Sequence, residues 1–288
     1  MQRIALLGLG TMGSGMAANW LKKGFALSIW NRSAERMAPV TAAGARAAKD
    51  PRDAATDADV VVAMVSDDEA SRSVWLGDRG ALPGIKPGAI VVESSTLTPK
   101  WVRELAAFAR THGAELLDAP VGGSKGAAAN GQLTFFVGGE AGTLDRARPA
   151  LEAIGAKIVH VGPTGAGATW KLINNMLVAV HAAALAEALA LADNAGFDRK
   201  TVARLISSGA AYSLIVQMKL PRMTEERFGE PDFALKHMLK DATYARALGD
   251  ELGVDLGLLA AAEAVYRRAA ELGLGELDIA AVAKAAKP

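Results

Sequence analysis

The order of apolar patterns predicts an α/β domain with a parallel sheet, joined by one long helix to an all-α domain. Three observations carry this expectation. Short unbroken apolar runs alternate with helical patterns over the first half of the chain. A glycine-rich turn separates the first run from the first helical pattern. Beyond Gly165 the patterns are helical only, and the first of them is unusually long.

Ile4-Ala-Leu-Leu-Gly8 has no polar alternation, as a strand buried on both faces requires. It leads into Gly8-Leu-Gly10-Thr-Met-Gly13. A helical pattern follows through Met16, Trp20 and Leu21 and stops at Gly24. Phe25-Ala-Leu-Ser-Ile-Trp30 is the next strand. This is a βαβ unit with GxGxxG at its turn. Such glycines permit a tight turn, close approach of backbone to a pyrophosphate, and close helix–strand packing. The helix N-terminus then faces the phosphates. A lone GxGxxG also reads as a structural turn. Here strand, helix and second strand all stand where a dinucleotide-binding Rossmann unit needs them. Gly8, Leu9, Gly10, Thr11, Met12 and Gly13 are therefore candidate cofactor-binding residues.

The second strand ends in Trp30-Asn31-Arg32-Ser33. An NAD site usually has an acid about 20 residues after the glycines, to hold the ribose hydroxyls. None stands here. A 2′-phosphate would meet Arg32, with Asn31 and Ser33 as neutral donors, so the expectation is NADP(H) over NAD(H). The competing reading makes Arg32 a solvated residue after a strand. Asp59–Met64 and Ala89–Glu93 read as further buried strands. Val65-Ser66 and Ser94-Ser95-Thr96 follow them, at the carboxyl ends where open α/β sheets bind ligands.

Glu115-Leu-Leu-Asp118-Ala-Pro-Val121 precedes a loop of small residues, Gly122-Gly-Ser124-Lys-Gly126. Its backbone N–H groups could bind a carboxylate. By itself it reads as a flexible connection to the strand Gln132–Val137. Lys157–Val161 is the last expected strand, closing a nucleotide-binding domain over 1–163. Thr164 is the expected cap of the helix from Ala166 to Asp193, about 40 Å long. That helix opens the all-helical domain, 164–288. On it Lys171 and Asn175 lie one turn apart on one face. A lysine with a tuned pKa donates or accepts a proton. An asparagine offers both a donor and an acceptor. Lys171 also reads as an ordinary snorkelling lysine, and Asn175 as a satisfied buried amide.

Gly196 is an expected helix stop and Asp198 an expected cap. Helices follow at about Arg199–Ser207, Tyr212–Met223, Ala234–Leu252, Leu256–Leu272 and Asp278–Lys284. The chain of 288 residues is 51% hydrophobic and 22% charged, with a net charge of +1. Nothing in that balance points to nucleic acid or an anionic membrane surface. There is no cysteine, which excludes thiolate chemistry and fits a cytoplasmic location. No targeting segment is visible. Leu177–Ala192 carries His181 and Glu187, which suits a buried helix better than a membrane span. His112, His160, His181 and His237 show no metal-ligand spacing, and no metal is expected. His237 is near Lys240 and reads equally as a cleft residue or a structural one. GxSxG and GxxxxGK[ST] motifs are absent.

Four motifs in order resemble the β-hydroxyacid dehydrogenases, a family that includes 3-hydroxyisobutyrate dehydrogenase and several semialdehyde reductases. They are Gly8–Asn19, Asp118-Ala-Pro-Val-Gly-Gly-Ser124, Gly165-Ala-Gly-Ala-Thr-Trp-Lys171-Leu-Ile-Asn-Asn175 and Leu235-Lys-His-Met-Leu-Lys240-Asp241. The resemblance implies a Rossmann domain and an all-α domain, in a homodimer or homotetramer. It makes Lys171 the general acid/base and Asn175 a substrate contact. It places Gly122, Gly123 and Ser124 on the substrate. Thr96, Met64 and Val65 fall on the cofactor, and Lys240, held by Asp241, reaches the cofactor or substrate. The family's loop commonly reads Asp-Ala-Pro-Val-Ser-Gly-Gly. Here Gly122 stands at the serine position, which puts substrate identity in question.

The implied reaction interconverts a small carboxylate-bearing alcohol and its aldehyde with NADP(H). Glyoxylate, succinic, tartronate and methylmalonate semialdehydes are the candidate carbonyl acids. An NAD-dependent 3-hydroxyisobutyrate dehydrogenase is the near alternative. An imine reductase would share the cofactor motif but generally lacks the lysine. A non-catalytic cofactor-binding oligomerisation module would bind cofactor without turnover.

Overall fold

Nine strands form one sheet in the computed structural model, which describes residues 2–286. β1 (Arg3–Leu7), β2 (Ala26–Trp30), β3 (Arg46–Ala47), β4 (Val60–Ala63), β5 (Ile90–Glu93) and β6 (Glu115–Asp118) are parallel, in the order β3-β2-β1-β4-β5-β6. That is the order of a Rossmann sheet. β7 (Val121–Gly122), β8 (Leu133–Gly138) and β9 (Gly155–Gly162) extend it. β8 runs antiparallel to β6 and β7 and parallel to β9.

The central strands are largely apolar because helices cover both faces, with acids at their carboxyl ends in β5 and β6. β4 and β5 are buried at every position. Each fully buried Val or Ile there contributes about 1.5–3 kcal/mol. Leu6, Trp20, Val62 and Val92 belong to one core cluster, and Leu7, Val61, Val91 and Trp101 to another. Crossover helices start where side chains cap them. Asp67 accepts from Ala70 N at 2.8 Å to open Asp68–Trp75. Thr98 accepts from Trp101 N at 3.2 Å to open Pro99–Thr111.

The segment expected to be a loop through Gly126 is ordered by β8. Val121 and Gly122 pair with Phe135 and Thr134, and Ser124 precedes a short helix, Lys125–Ala129. The long helix runs Ala166–Asn194, close to the expected range. Its cap differs. Asp118 at the end of β6 accepts from Gly165 N and Ala168 N, each at 2.8 Å, so Thr164 is not the capping residue.

Two compact units divide the chain, up to Lys171 and from Leu172 onwards. The expected boundary at 163/164 assigns the whole long helix to the second. That second unit is helical: Arg199–Ser208, Leu214–Thr224, Leu235–Leu252, Gly257–Glu271 and a 3-10 segment Ile279–Lys284 follow the long helix. Tyr212 falls outside its expected helix because Ser213 caps Val216 N and starts the helix two residues later. Leu172, Ala179, Ala182, Ala183, Ala186 and Leu189 enter the core of this unit. The long helix is long and apolar enough to cross a membrane by length and composition. This packing accounts for much of its apolar surface. Tyr266 donates its hydroxyl to Ala179 O at 3.2 Å. Lys219 and Asp278 form a buried ion pair, 2.9 Å to each oxygen, that ties down the last segment.

Candidate active site

At the carboxyl edge of β1 the chain turns at Gly8 with φ +105°. A Cβ there would stand 2.2 Å from Met64 O, so only glycine fits between β1 and β4. Leu9 is buried and donates its N–H to Asn31 Oδ1 at 2.8 Å. Asn31 Nδ2 donates to Ser33 O at 2.9 Å. Asn31 thus braces the glycine turn against the end of β2. Gly10 has open space where a Cβ would lie. The helix Thr11–Lys22 has no side-chain cap and no acid in its first turn. An open cradle before an uncapped, positively polarised helix end fits a pyrophosphate. Arg32, next to Asn31 in the chain, is exposed, with no carboxylate at 31 or 33.

β4 and β5 deliver Met64, Val65 and Thr96 to the same carboxyl edge. Their loops are held from behind. Val65 N donates to Ser95 Oγ at 2.8 Å, and Ser95 N donates to Glu93 at 2.9 Å. Glu93 also accepts from Ser71 Oγ and Trp75 Nε1, both at 2.7 Å. Trp101 Nε1 donates to Ser71 Oγ at 2.9 Å. Burial pushes the Glu93 carboxyl up from its ordinary range, against those hydrogen bonds. This network was not singled out in the sequence. Its one visible signal is an acid ending the run Ala-Ile-Val-Val-Glu93.

Gly122 and Gly123 lie where β7 ends, and Gly123 takes φ +121°. Phe136 on β8 closes over Gly122, since a Cβ at 122 would stand 3.2 Å from its ring. A serine at this position would press on that ring, which would have to give by a few tenths of an ångström. Phe136 also meets Trp170 edge-on, with ring centres 6.1 Å apart.

Asp118 is buried, and burial pushes its carboxyl up to about 6 against the N–H groups of Gly165 and Ala168. Lys171 lies three residues beyond Ala168 and is half-buried. One turn on, Asn175 is buried and donates Nδ2 to Asp241 Oδ2 at 2.6 Å. Asp241 Oδ1 meets Lys240 Nζ at 3.1 Å. The second unit therefore aligns Asn175, Asp241 and Lys240 in one chain of contacts. His237, stacked on Phe233 at 6.3 Å, is held below its ordinary pKa by burial first, then by Lys240 and Lys236.

Sheet order, glycine turn and polarised helix end together define a dinucleotide-binding Rossmann domain. Comparison with known proteins narrows this. The family described as the NAD binding domain of 6-phosphogluconate dehydrogenase matches residues 3–162. The family described as the NAD-binding domain of NADP-dependent 3-hydroxyisobutyrate dehydrogenase matches residues 165–286. The chain is 38% identical to the NAD-dependent L-serine dehydrogenase of Pseudomonas aeruginosa, over 100% of this chain and 99% of that one. It is 32% identical to a Mycobacterium tuberculosis 3-hydroxyisobutyrate dehydrogenase solved with L-serine. The TM-score is 0.89, covering 99% and 98% of the two chains. It is also 34% identical to human cytokine-like nuclear factor N-PAC, over 99% of this chain but 51% of N-PAC. The chain belongs to the β-hydroxyacid dehydrogenase family and is an NAD(P)-dependent hydroxyacid dehydrogenase acting on CH–OH donors.

Proposed function

We propose that the protein interconverts a small hydroxy acid and its semialdehyde, or glycolate and glyoxylate, using NADP(H), with Lys171 as general acid/base. The observation that carries this reading is Lys171 itself. It lies one turn past a helix start that Asp118 fixes and one turn before Asn175.

A bound nicotinamide supplies or accepts the hydride. In reduction Lys171 donates a proton to the carbonyl oxygen, and its ammonium stabilises the developing negative charge. In oxidation neutral Lys171 takes the hydroxyl proton. Asn175 orients the substrate from the same helix face, its amide fixed by Asp241. The N–H groups of Gly122 and Gly123, with Ser124, bind the substrate carboxylate. Lys240, ion-paired with Asp241, adds a cation for substrate or cofactor.

Arg32 without a neighbouring acid supports NADP(H), as does the NADP-dependent enzyme after which the second matching family is described. The similarity to the NAD-dependent L-serine dehydrogenase of Pseudomonas aeruginosa favours a second reading, an NAD-dependent dehydrogenase of a β-hydroxy acid such as L-serine. A homodimer or homotetramer is proposed from Ile173, Leu177 and Leu191, exposed on one face of the long helix at 42%, 51% and 72%.

The test is absorbance change of the nicotinamide with glyoxylate, the three semialdehydes, L-serine and 3-hydroxyisobutyrate, each with both cofactors. Turnover of an aldehyde acid with NADPH preferred supports the proposal. Turnover of L-serine with NAD favours the second reading. No turnover of any acid with either cofactor contradicts both.

A further inference from the structure

We propose that Asp118 is a positioning residue for Lys171: its carboxylate clamps the first turn of the long helix to the sheet and so fixes where the lysine stands. The inference rests on the reading of Lys171 as the acid/base. Four observations support it.

The two carboxylate oxygens are divided between two N–H groups. Oδ1 takes Gly165 N and Oδ2 takes Ala168 N, both at 2.8 Å. These are unpaired donors of a helix start, and a carboxylate accepting them gives strong, directional bonds. Ala168 is three residues from Lys171, so the clamp and the lysine share one turn. A shift at the clamp carries directly to the lysine.

Glycines make room for the clamp. A Cβ at Gly138 would stand 2.5 Å from Asp118 Oδ1. One at Gly167 would stand 2.5 Å from Asp118 O and 2.4 Å from Phe136 O. The first turn therefore lies directly on β6 and β8, with no side chain between to absorb a displacement. The contact is rigid because it is backbone on backbone.

The clamp is also costly. An ordinary cap would be a serine or threonine on the helix itself, and Thr164 is adjacent in sequence. Instead a carboxylate from another element is buried there. Burial pushes it up to about 6, so at neutral pH the ionised form is held against its desolvation. A charge kept at such a place fixes geometry rather than adding stability.

The titratable neighbours are few. Glu93 is the register partner of Asp118 on β5, and Ser71, Trp75 and Ser95 engage its carboxyl. Arg103, from Pro99–Thr111, runs beside Gly165. Lys171 is one turn along the helix.

The experiment compares Asp118→Asn, which keeps one acceptor, with Asp118→Ala, which keeps none. Hydrogen–deuterium exchange reads the helix start, and steady-state kinetics reads the lysine. Expected are faster exchange confined to residues 165–171, graded from Asn to Ala. With it come a kcat reduced on the order of 10- to 100-fold and an unchanged cofactor Kd. Wild-type kcat should also change across pH 6, and that step should vanish in Asp118→Asn. Unchanged exchange at 165–171 would overturn the clamp. Altered exchange with unchanged kcat and pH profile would overturn its positioning role. If Asp118→Ala fails to fold, Asp118→Asn alone decides by the same measures. Lys171→Ala separates the two readings: full turnover in that variant, with the clamp's exchange signature intact, removes the acid/base reading and leaves the clamp.

Discussion

Removing the amide of Asn175 should cost far more than an ordinary polar truncation. Asn175 and Asp241 are both buried, and the bond between them is 2.6 Å. Asn175→Ala leaves Asp241 Oδ2 without its donor in a place water does not reach. A lost hydrogen bond to a charged group and an unsatisfied buried acceptor together predict a loss of about 2–4 kcal/mol. Asn175→Leu should behave alike, and Asp241→Leu should strand the amide. Changing both to leucine removes donor and acceptor together, so the double variant should be less damaged than the sum of its parts. The expected coupling is about 1.5–3 kcal/mol, the range for residues sharing one buried bond. Urea unfolding followed by far-UV circular dichroism measures it, because the second unit is helical. Additive single effects, within about 0.5 kcal/mol, would refute the reasoning.

Three further outcomes are expected. Arg32→Glu should raise KM for NADPH by about tenfold or more and leave NADH little affected; an unchanged ratio of the two KM values would discard the role given to Arg32. Gly8→Ala should abolish cofactor binding and lower the unfolding midpoint, since its Cβ meets Met64 O at 2.2 Å; isothermal titration with either nucleotide reads the first, and wild-type affinity would count against the close-approach argument. Asp118 should also shape stability against pH. Its carboxyl is raised from 3.8 to about 6, so the native state binds this proton more tightly. Its contribution is then fully present below the unfolded value and lost as pH rises through 6. The wild-type stability, minus that of Asp118→Asn, should fall by roughly 2.4 kcal/mol between pH 4 and 7. A flat difference would mean Asp118 does not titrate in that window.

Much of the fold is legible because it depends on local pattern. β1, β4 and β5 are unbroken apolar runs, and the long helix announces itself by length. The two-residue strands β3 and β7 are invisible because pairing partners make them, not their own residues. The short helix Lys125–Ala129 is hidden among glycines and alanines that suit a loop equally well. In the site, helical spacing puts Lys171 and Asn175 on one face, and the resemblance of their motif to the family singles them out. Asp118 does not, because its partners lie 47 and 50 residues away. Thr164 was the local choice of cap, and a distant carboxylate supplies the bonds instead. The same holds for Glu93 at the end of β5, whose partners Ser71 and Trp75 come from the helix Asp68–Trp75. Sequence spacing finds residues that share an element; it does not find those joined across the sheet.

The central claim is that Lys171 moves the proton. Its most direct measurement is turnover by Lys171→Ala with the best substrate from the panel, with cofactor affinity measured on the same preparation. Expected are a kcat lower by on the order of 100-fold or more, an unchanged nucleotide Kd and native circular dichroism. Retained turnover with intact cofactor binding would contradict it.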